Sequence, residues 1–125
     1  MSEKDKFSKG LYLLFIRLDV SKTIGIGKLG NFEFKPGIYC YVGSGMNNLD
    51  KRIERHISDD KKKHWHIDYF LEEAEIIATV KIRTENNDEC LLNKAISILS
   101  KETPVKKFGS SDCNCRAHLH YMEEK

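Results

Sequence analysis

The chain has 125 residues, so we expect a single domain over residues 1–125. A domain of this length can bury a hydrophobic core without disulfides. Hydrophobic residues make up 40% and charged residues 32%, and no apolar run approaches the ~20 residues of a membrane span, which excludes a transmembrane helix. The formal net charge of +2 neither requires nor excludes a nucleic-acid partner. Because the polar start of the chain has no secretory signal, we expect a cytoplasmic protein with no membrane partner.

The first half of the chain is predicted to form strands, after a flexible N-terminus over residues 1–8. Residues 11–18 are too apolar for a surface segment and too short for a typical helix, so they indicate a buried strand. Residues 23–26 and 31–34 predict a hairpin. Residues 38–42 are rich in aromatic and β-branched side chains and predict another strand.

A glycine-rich pattern, GxGxxG, occurs at residues 25–30 inside the predicted hairpin. In a dinucleotide site this pattern opens a helix whose N-terminus meets the pyrophosphate. Residues 31–36, which end in a proline, do not continue as a helix. We therefore interpret these glycines as hairpin turns and not as a cofactor site.

The middle of the chain is predicted to be helical. Residues 47–58 predict a helix capped by Asn47, and residues 66–73 predict a shorter one. In the first of these helices, apolar residues recur every four positions and define one inward stripe of Leu49, Ile53 and Ile57.

The last third of the chain adds a strand, a helix and a final edge strand. Residues 74–82 partly alternate and predict a strand, and residues 87–100 predict a helix capped by Asn86 or Asn87. Its expected inward residues are Leu91, Leu92, Ala95, Ile96 and Leu99. After a loop, we expect an edge strand that ends near residue 121 and leaves residues 122–125 as a tail. This order predicts an α+β fold: a small mixed or antiparallel sheet flanked by about three helices, with an extra hairpin inserted.

Several short motifs occur in a fixed order along these elements. A glycine–tyrosine triplet opens the first strand, a tyrosine–glycine triplet ends a later one, an arginine and a histidine share the next helix, and a glutamate follows far downstream. These are Gly10-Leu11-Tyr12, Tyr41-Val42-Gly43, Arg52, His56 and Glu89. The set resembles the GIY-YIG nuclease superfamily. The stretches KGLYLLFIRL, IGKLGNFEFKPGIYCYVGS and KKHWHIDYFLEEAE resemble its small, archaeal and bacterial Uri-type endonuclease branch, over about residues 9–121.

The resemblance implies a metal-dependent endonuclease that hydrolyses phosphodiester bonds, with DNA expected over RNA. Glu89 would hold one Mg²⁺ or Mn²⁺ ion, and Arg52 would clamp a phosphate oxygen. Tyr12 or Tyr41 would hold the attacking water, and His56 would take a proton or orient a tyrosine. Separately, the small size of the chain leads us to expect that a homodimer or a partner protein supplies specificity. A nucleic-acid-binding module of the same fold that does not cleave is the alternative.

Two departures from the superfamily pattern concern its first half. The first triplet is GLY and not GIY, and the connection from Tyr12 to Tyr41 is long enough to contain the extra hairpin. A literal Gly37-Ile38-Tyr39 precedes Tyr41, which makes Tyr39 a second candidate for the first functional tyrosine. Tyr12 is favoured because Tyr39 lies on the same predicted strand as Tyr41.

Basic, histidine and cysteine residues give two further predictions. Nucleic-acid contacts are predicted for Lys51, Arg55, Lys62, Lys63, His64 and His66, although solvated surface charges produce the same pattern. Weak zinc candidates are Cys113, Cys115 and His118, with His120 nearby. Their spacing has no matching CxxC, so packing beside the site is the favoured interpretation. Cys40 and Cys90 are expected to be buried.

Overall fold

A computed structural model describes residues 9–58, 63, 65–101, 104–105, 108 and 117–124. The fold is α+β, which confirms the predicted class. The strands in this part of the chain are β1 Gly10–Leu18, β2 Lys22–Gly25, β3 Asn31–Phe34, β4 Gly37–Gly45, β5 Glu75–Arg83 and β6 Leu119–Glu124. The α-helices are α1 Leu49–Ile57, α2 His66–Leu71 and α3 Glu89–Leu99.

The strands form two antiparallel sheets. Four of them make the main sheet in the order β5-β1-β4-β6, and β2 pairs with β3 in a separate hairpin. A short 3-10 helix over Gly27–Leu29 connects the hairpin strands, and Gly27 and Gly30 have φ of 49° and 113°. Positive φ favours glycine, so the GxGxxG pattern serves the hairpin, as predicted.

The two faces of the main sheet carry different cores, because side chains alternate along each strand. One face carries Tyr12, Leu14, Tyr39 and Tyr41 and packs against α1, α2 and the hairpin. The other carries Leu13, Cys40 and Val42 and packs against Leu92 and Ile96 of α3. Each large aliphatic side chain buried in this way contributes roughly 2 kcal/mol relative to exposure.

The predicted stripe of α1 is wrong at its last position. Leu49 and Ile53 are buried, but Ile57 is 57% exposed and His56 is buried instead. Residues i, i+4 and i+7 share one face of a helix, so this stripe follows the 3.6-residue period and includes the histidine. The cap also differs by one residue, because the side chain of Asn48, not Asn47, accepts a hydrogen bond from the Lys51 amide at 3.0 Å.

Helix α3 buries less of its apolar surface than predicted. Leu91 and Leu99 are 69% and 71% exposed, whereas Asn93 is buried, and Asp88 occupies the N-cap in place of Asn86 or Asn87. Asn93 is satisfied because its amide nitrogen donates to the Ala117 carbonyl at 2.7 Å. The helix packs against β4 and β6, which leaves its other flank in solvent.

Two smaller differences concern a cysteine and the chain end. Cys40 is buried as predicted, and burial raises the pKa of its thiol to about 12, but Cys90 is exposed. Strand β6 continues to Glu124, so residues 122–124 belong to the sheet and not to a tail. Residues 1–8 lie outside the described part of the chain. Within that part, no helix has the length and apolar character needed to cross a membrane.

Candidate active site

A tyrosine from β1 and a histidine from α1 form the centre of the candidate site. The Tyr12 hydroxyl lies 2.6 Å from Nε2 of His56, and both side chains are buried. Burial raises the pKa of Tyr12 well above its usual value, and the nearby Tyr41 and Glu89 add to this, while the positive charge of Arg52 opposes it. Tyr12 is therefore a phenol at neutral pH, and its hydroxyl shares a hydrogen bond with Nε2 of His56.

A glycine makes room for the Tyr12 ring. Gly43 lies opposite Tyr12 in the β1–β4 register. A Cβ atom at Gly43 would overlap the Tyr12 ring and hydroxyl. The close approach, and not an unusual φ angle, therefore explains the glycine of the Tyr41-Val42-Gly43 triplet.

Tyr41 lies beside this pair, and Tyr39 does not. The centroid of the Tyr41 ring is 6.4 Å from that of Tyr12 and 6.1 Å from that of His56. The Tyr39 hydroxyl donates to the Lys35 carbonyl at 2.6 Å, and its ring packs in an edge-on contact with Phe70. The structure thus places Tyr12, and not Tyr39, next to Tyr41 and His56.

Arg52 lies one turn before His56 on α1 and reaches the end of β4. Its Nη1 donates to the Ser44 carbonyl at 3.1 Å, and its guanidinium stacks on the Trp65 ring at 4.6 Å from the centroid. Both contacts fix a planar donor group beside the two tyrosines. The phosphate-binding role of Arg52 stays a prediction.

Arg55 was predicted to contact nucleic acid, and in the structure it is half-buried and pairs with a carboxylate of α2. It donates to both carboxylate oxygens of Asp68 at 3.0 Å and stacks on Trp65 at 4.3 Å. Asp68 is fully buried and also accepts from the Trp65 amide at 2.9 Å, at the start of α2. Sequence reasoning missed Asp68, although an acidic residue three positions into a helix is the signal of a capping box.

Glu89 approaches the same region from the opposite face of the sheet. It is the first residue of α3, its side chain is 23% exposed, and Oε2 lies 3.4 Å from Nδ1 of His118. The same Nδ1 is 3.1 Å from the Val42 carbonyl. A carbonyl only accepts hydrogen bonds, so Nδ1 of His118 carries a proton and connects Glu89 to β4 next to Gly43. Burial lowers the pKa of His118, and Glu89 partly opposes this shift.

The residues present fit a cation that needs few protein ligands. Glu89 offers one partly exposed carboxylate, which suits a hard ion such as Mg²⁺ that keeps most of its water. In the described part of the chain, no group of three or more histidine, cysteine, aspartate or glutamate side chains is placed to hold a metal. The zinc candidates Cys113 and Cys115 lie outside the described residues, and His118 contacts Val42 and Glu89.

The other residues predicted to contact nucleic acid lie in different environments. Lys51 is exposed on α1. Lys63 pairs with Glu72 at 3.1 Å and lies over the Tyr69 ring. The His66 ring packs 5.7 Å from that of Phe108. Lys62 and His64 lie outside the described residues.

Comparison with known families places the chain among related sequences. A family described as "Domain of unknown function DUF123" matches residues 11–125. The chain belongs to this family. Searches among curated proteins and among solved structures gave no match. Membership of DUF123 assigns no activity, so the resemblance to GIY-YIG nucleases stays a prediction.

Proposed function

We propose that this DUF123 member is a divalent-metal-dependent endonuclease, with DNA as its expected substrate. The observation that best supports this proposal is that side chains from β1, β4, α1 and α3 come together at one end of the main sheet. They are Tyr12, Tyr41, Arg52, His56 and Glu89. Phenols, a guanidinium, an imidazole and a carboxylate together offer proton transfer, phosphate binding and cation binding.

The contact between Tyr12 and His56 supports a specific route for the proton. Water attacks the phosphorus atom, and the bond from phosphorus to the leaving oxygen breaks. As the water attacks, it gives a proton to the Tyr12 oxygen, and the hydroxyl proton of Tyr12 passes to Nε2 of His56. A tyrosine with a raised pKa serves in this way because it never has to exist as a free phenolate. The leaving oxygen then takes a proton from solvent.

The remaining residues bind and orient the scissile phosphate. Arg52 contributes a fork of N–H donors to a non-bridging oxygen, held in place by Trp65 and the Ser44 carbonyl. Tyr41, whose ring lies beside those of Tyr12 and His56, would orient the water or the phosphate. Glu89 would hold the cation, which when bound stabilises the charge that develops on the phosphate and the leaving oxygen.

A cleavage assay with a conservative pair of variants tests the proposal. Wild-type protein, Glu89→Gln and Asp88→Asn are incubated with labelled single-stranded, duplex and branched DNA and RNA, with Mg²⁺, Mn²⁺ or EDTA. Asp88 is the matched control because it is the neighbouring carboxylate, and its side chain makes no capping hydrogen bond. We expect cleavage with metal by the wild type and Asp88→Asn, and a loss of about 10³-fold in Glu89→Gln.

The same assay separates cleavage from binding alone. Salt-sensitive binding of nucleic acid by all three proteins, without products under any metal condition, would contradict the nuclease proposal. It would support a non-cleaving module of the same fold. Equal cleavage by Glu89→Gln and Asp88→Asn would remove Glu89 from the site.

A further inference from the structure

His118 connects the core of the fold to the carboxylate that we assign to the cation. Its side chain is fully buried, whereas that of Glu89 is 23% exposed, and Oε2 of Glu89 lies 3.4 Å from Nδ1 of His118. Because a carboxylate and a carbonyl both accept hydrogen bonds, the Nδ1–H group serves Glu89 and the Val42 carbonyl together. A buried donor therefore faces a carboxylate that solvent can reach.

The backbone of β4 fixes the orientation of this imidazole. Tyr41 lies opposite Leu119, so Val42 lies opposite His118 in the same register. In a hydrogen-bonded antiparallel pair the two residues exchange both of their N–H···O bonds. Here the Val42 amide donates to the His118 carbonyl at 3.0 Å, but the His118 amide donates to the Phe108 carbonyl at 2.8 Å. Nδ1 of His118 takes the place of that amide at the Val42 carbonyl, at 3.1 Å, which holds the ring in one orientation.

A second polar contact, one turn along α3, places Glu89 next to the ring. Asn93 follows Glu89 by four residues and therefore lies on the same face of the helix. Its Nδ2 donates to the Ala117 carbonyl at 2.7 Å, and its Oδ1 accepts from Nε2 of His120 at 2.6 Å. These bonds anchor α3 to the chain on both sides of His118. The histidine and the carboxylate are thus brought together by contacts that involve neither of their side chains.

We propose that His118 is a positioning residue for Glu89, an inference that rests on the proposed role of Glu89 as the cation ligand. The Nδ1–H group of His118 donates to the carboxylate and holds it beside the end of β4. A carboxylate has about four acceptor positions, so one hydrogen bond leaves the others available to a cation. Hydrogen-bonded partners of this kind contribute roughly 10–100-fold to metal affinity.

Binding of Mn²⁺ to the full chain, without nucleic acid, tests this role apart from cleavage. Electron paramagnetic resonance reports the free ion, and it is measured for the wild type, Glu89→Gln, His118→Leu, His118→Asn and His120→Leu. His118→Leu removes the donor and keeps a similar volume. His118→Asn restores an N–H group, because Nδ2 of asparagine is as many bonds from Cα as Nδ1 of histidine. His120→Leu is the matched control, since it removes a buried contact with Asn93 and not the contact with Glu89.

We expect His118→Leu to bind Mn²⁺ about tenfold more weakly than the wild type, or worse. His118→Asn and His120→Leu should both bind close to the wild type, because the first keeps an N–H donor and the second leaves His118 in place. A His118→Leu variant that binds Mn²⁺ as tightly as the wild type would overturn the inference. So would a loss in His120→Leu equal to that in His118→Leu, or no recovery in His118→Asn.

The wild type and Glu89→Gln identify the other kind of failure. If these two proteins bind Mn²⁺ equally, or neither binds it, the assignment of Glu89 to the cation is wrong, and the proposed function and this inference both fall. If Glu89→Gln loses binding and both His118 variants keep it, the positioning role alone is wrong.

A measurement on the wild type gives a second test if His118→Leu does not fold. Nitrogen-15 NMR distinguishes the two protonated forms of a neutral imidazole, and we expect the proton of His118 on Nδ1. We also expect the Nδ1 resonance to shift when Mg²⁺ is added. A proton on Nε2 only, or a resonance that Mg²⁺ leaves unchanged while it displaces bound Mn²⁺, would overturn the inference.

Discussion

At the scale of single residues, the buried Tyr12 hydroxyl needs a partner, because a buried hydroxyl without one costs roughly 1–3 kcal/mol. Nε2 of His56 supplies that partner at 2.6 Å, and Gly43 supplies the space for the ring. The raised pKa of Tyr12 follows from the same burial. Packing and chemistry at this position therefore depend on one contact.

Replacing Tyr12 by phenylalanine separates chemistry from packing. Tyr12→Phe keeps the ring and removes the proton donor, so we expect cleavage to fall by about 10²-fold or more. Tyr39→Phe is the control, because Tyr39 is equally buried and its hydroxyl donates to the Lys35 carbonyl. It should retain activity and lose about 1 kcal/mol of unfolding free energy. Equal activity of the two variants would contradict the role of Tyr12.

At the scale of elements, the ion pair between Arg55 and Asp68 connects α1 to α2. Arg55 and Asp68 are joined by two 3.0 Å hydrogen bonds, and Trp65 lies under both Arg52 and Arg55. Because Asp68 also accepts from the Trp65 amide, it fixes the start of α2. The ion pair thus positions Trp65, and through it the arginine that we assign to phosphate.

Breaking this pair should weaken the fold and the site together. In Asp68→Asn, loss of the charge leaves Arg55 half-buried with a weaker acceptor, so we expect urea unfolding to show a loss of roughly 2 kcal/mol. The control is Asp50→Asn, which disrupts exposed pairs with Lys81 and Arg83 and should change stability little. An unchanged unfolding curve for Asp68→Asn would contradict the positioning role.

The sequence predicted the elements better than the direction in which their side chains point. Strand β3 begins and ends at the predicted residues, because alternation and turn residues mark it locally. The inward residue in the last turn of α1 was predicted to be Ile57 because it is apolar. The inward residue is His56, which can be buried there because the Tyr12 hydroxyl forms a hydrogen bond with it. Leu91 and Leu99 of α3 were wrongly predicted to be buried. The spacing of apolar residues shows which side of a helix is apolar, but not how much of that side the sheet covers.

At the scale of the whole molecule, the motif residues were predictable and their contacts were not. Tyr12 and His56 are 44 positions apart, and Glu89 lies on α3, which packs on the other face of the sheet. No local pattern encodes that His118, adjacent to β6, would lie within 3.4 Å of Glu89 and contact Val42. These distances depend on the strand order, which the sequence did not specify.

The histidine beside this network makes the stability of the whole fold depend on pH. Burial, followed by the nearby His118, lowers the pKa of His120 to about 4 from 6.5. Between these values the unfolded chain binds more protons than the folded chain. The stabilisation that comes from keeping His120 neutral in the fold is therefore complete above pH 6.5 and is lost as the pH falls towards 4. Its size is roughly 3 kcal/mol. Urea unfolding at several pH values should show this loss.

A glutamine at the same position tests that assignment. In His120→Gln, the side-chain amide can still donate to Oδ1 of Asn93, as Nε2 of His120 does at 2.6 Å. Because glutamine does not titrate, we expect the variant to have a flatter dependence of unfolding free energy on pH. An unchanged pH dependence would assign the effect to other groups.

In the proposed mechanism, Tyr12 and Glu89 act in one active site although they lie on opposite faces of the sheet. The most direct test is a double-mutant cycle in which kcat/KM for cleavage is measured for wild type, Tyr12→Phe, Glu89→Gln and the double variant. Residues that act as a unit are strongly non-additive, so we predict that the double variant loses about as much as the more damaging single change. Losses that simply multiply, or single variants that cleave like the wild type, would contradict a shared active site.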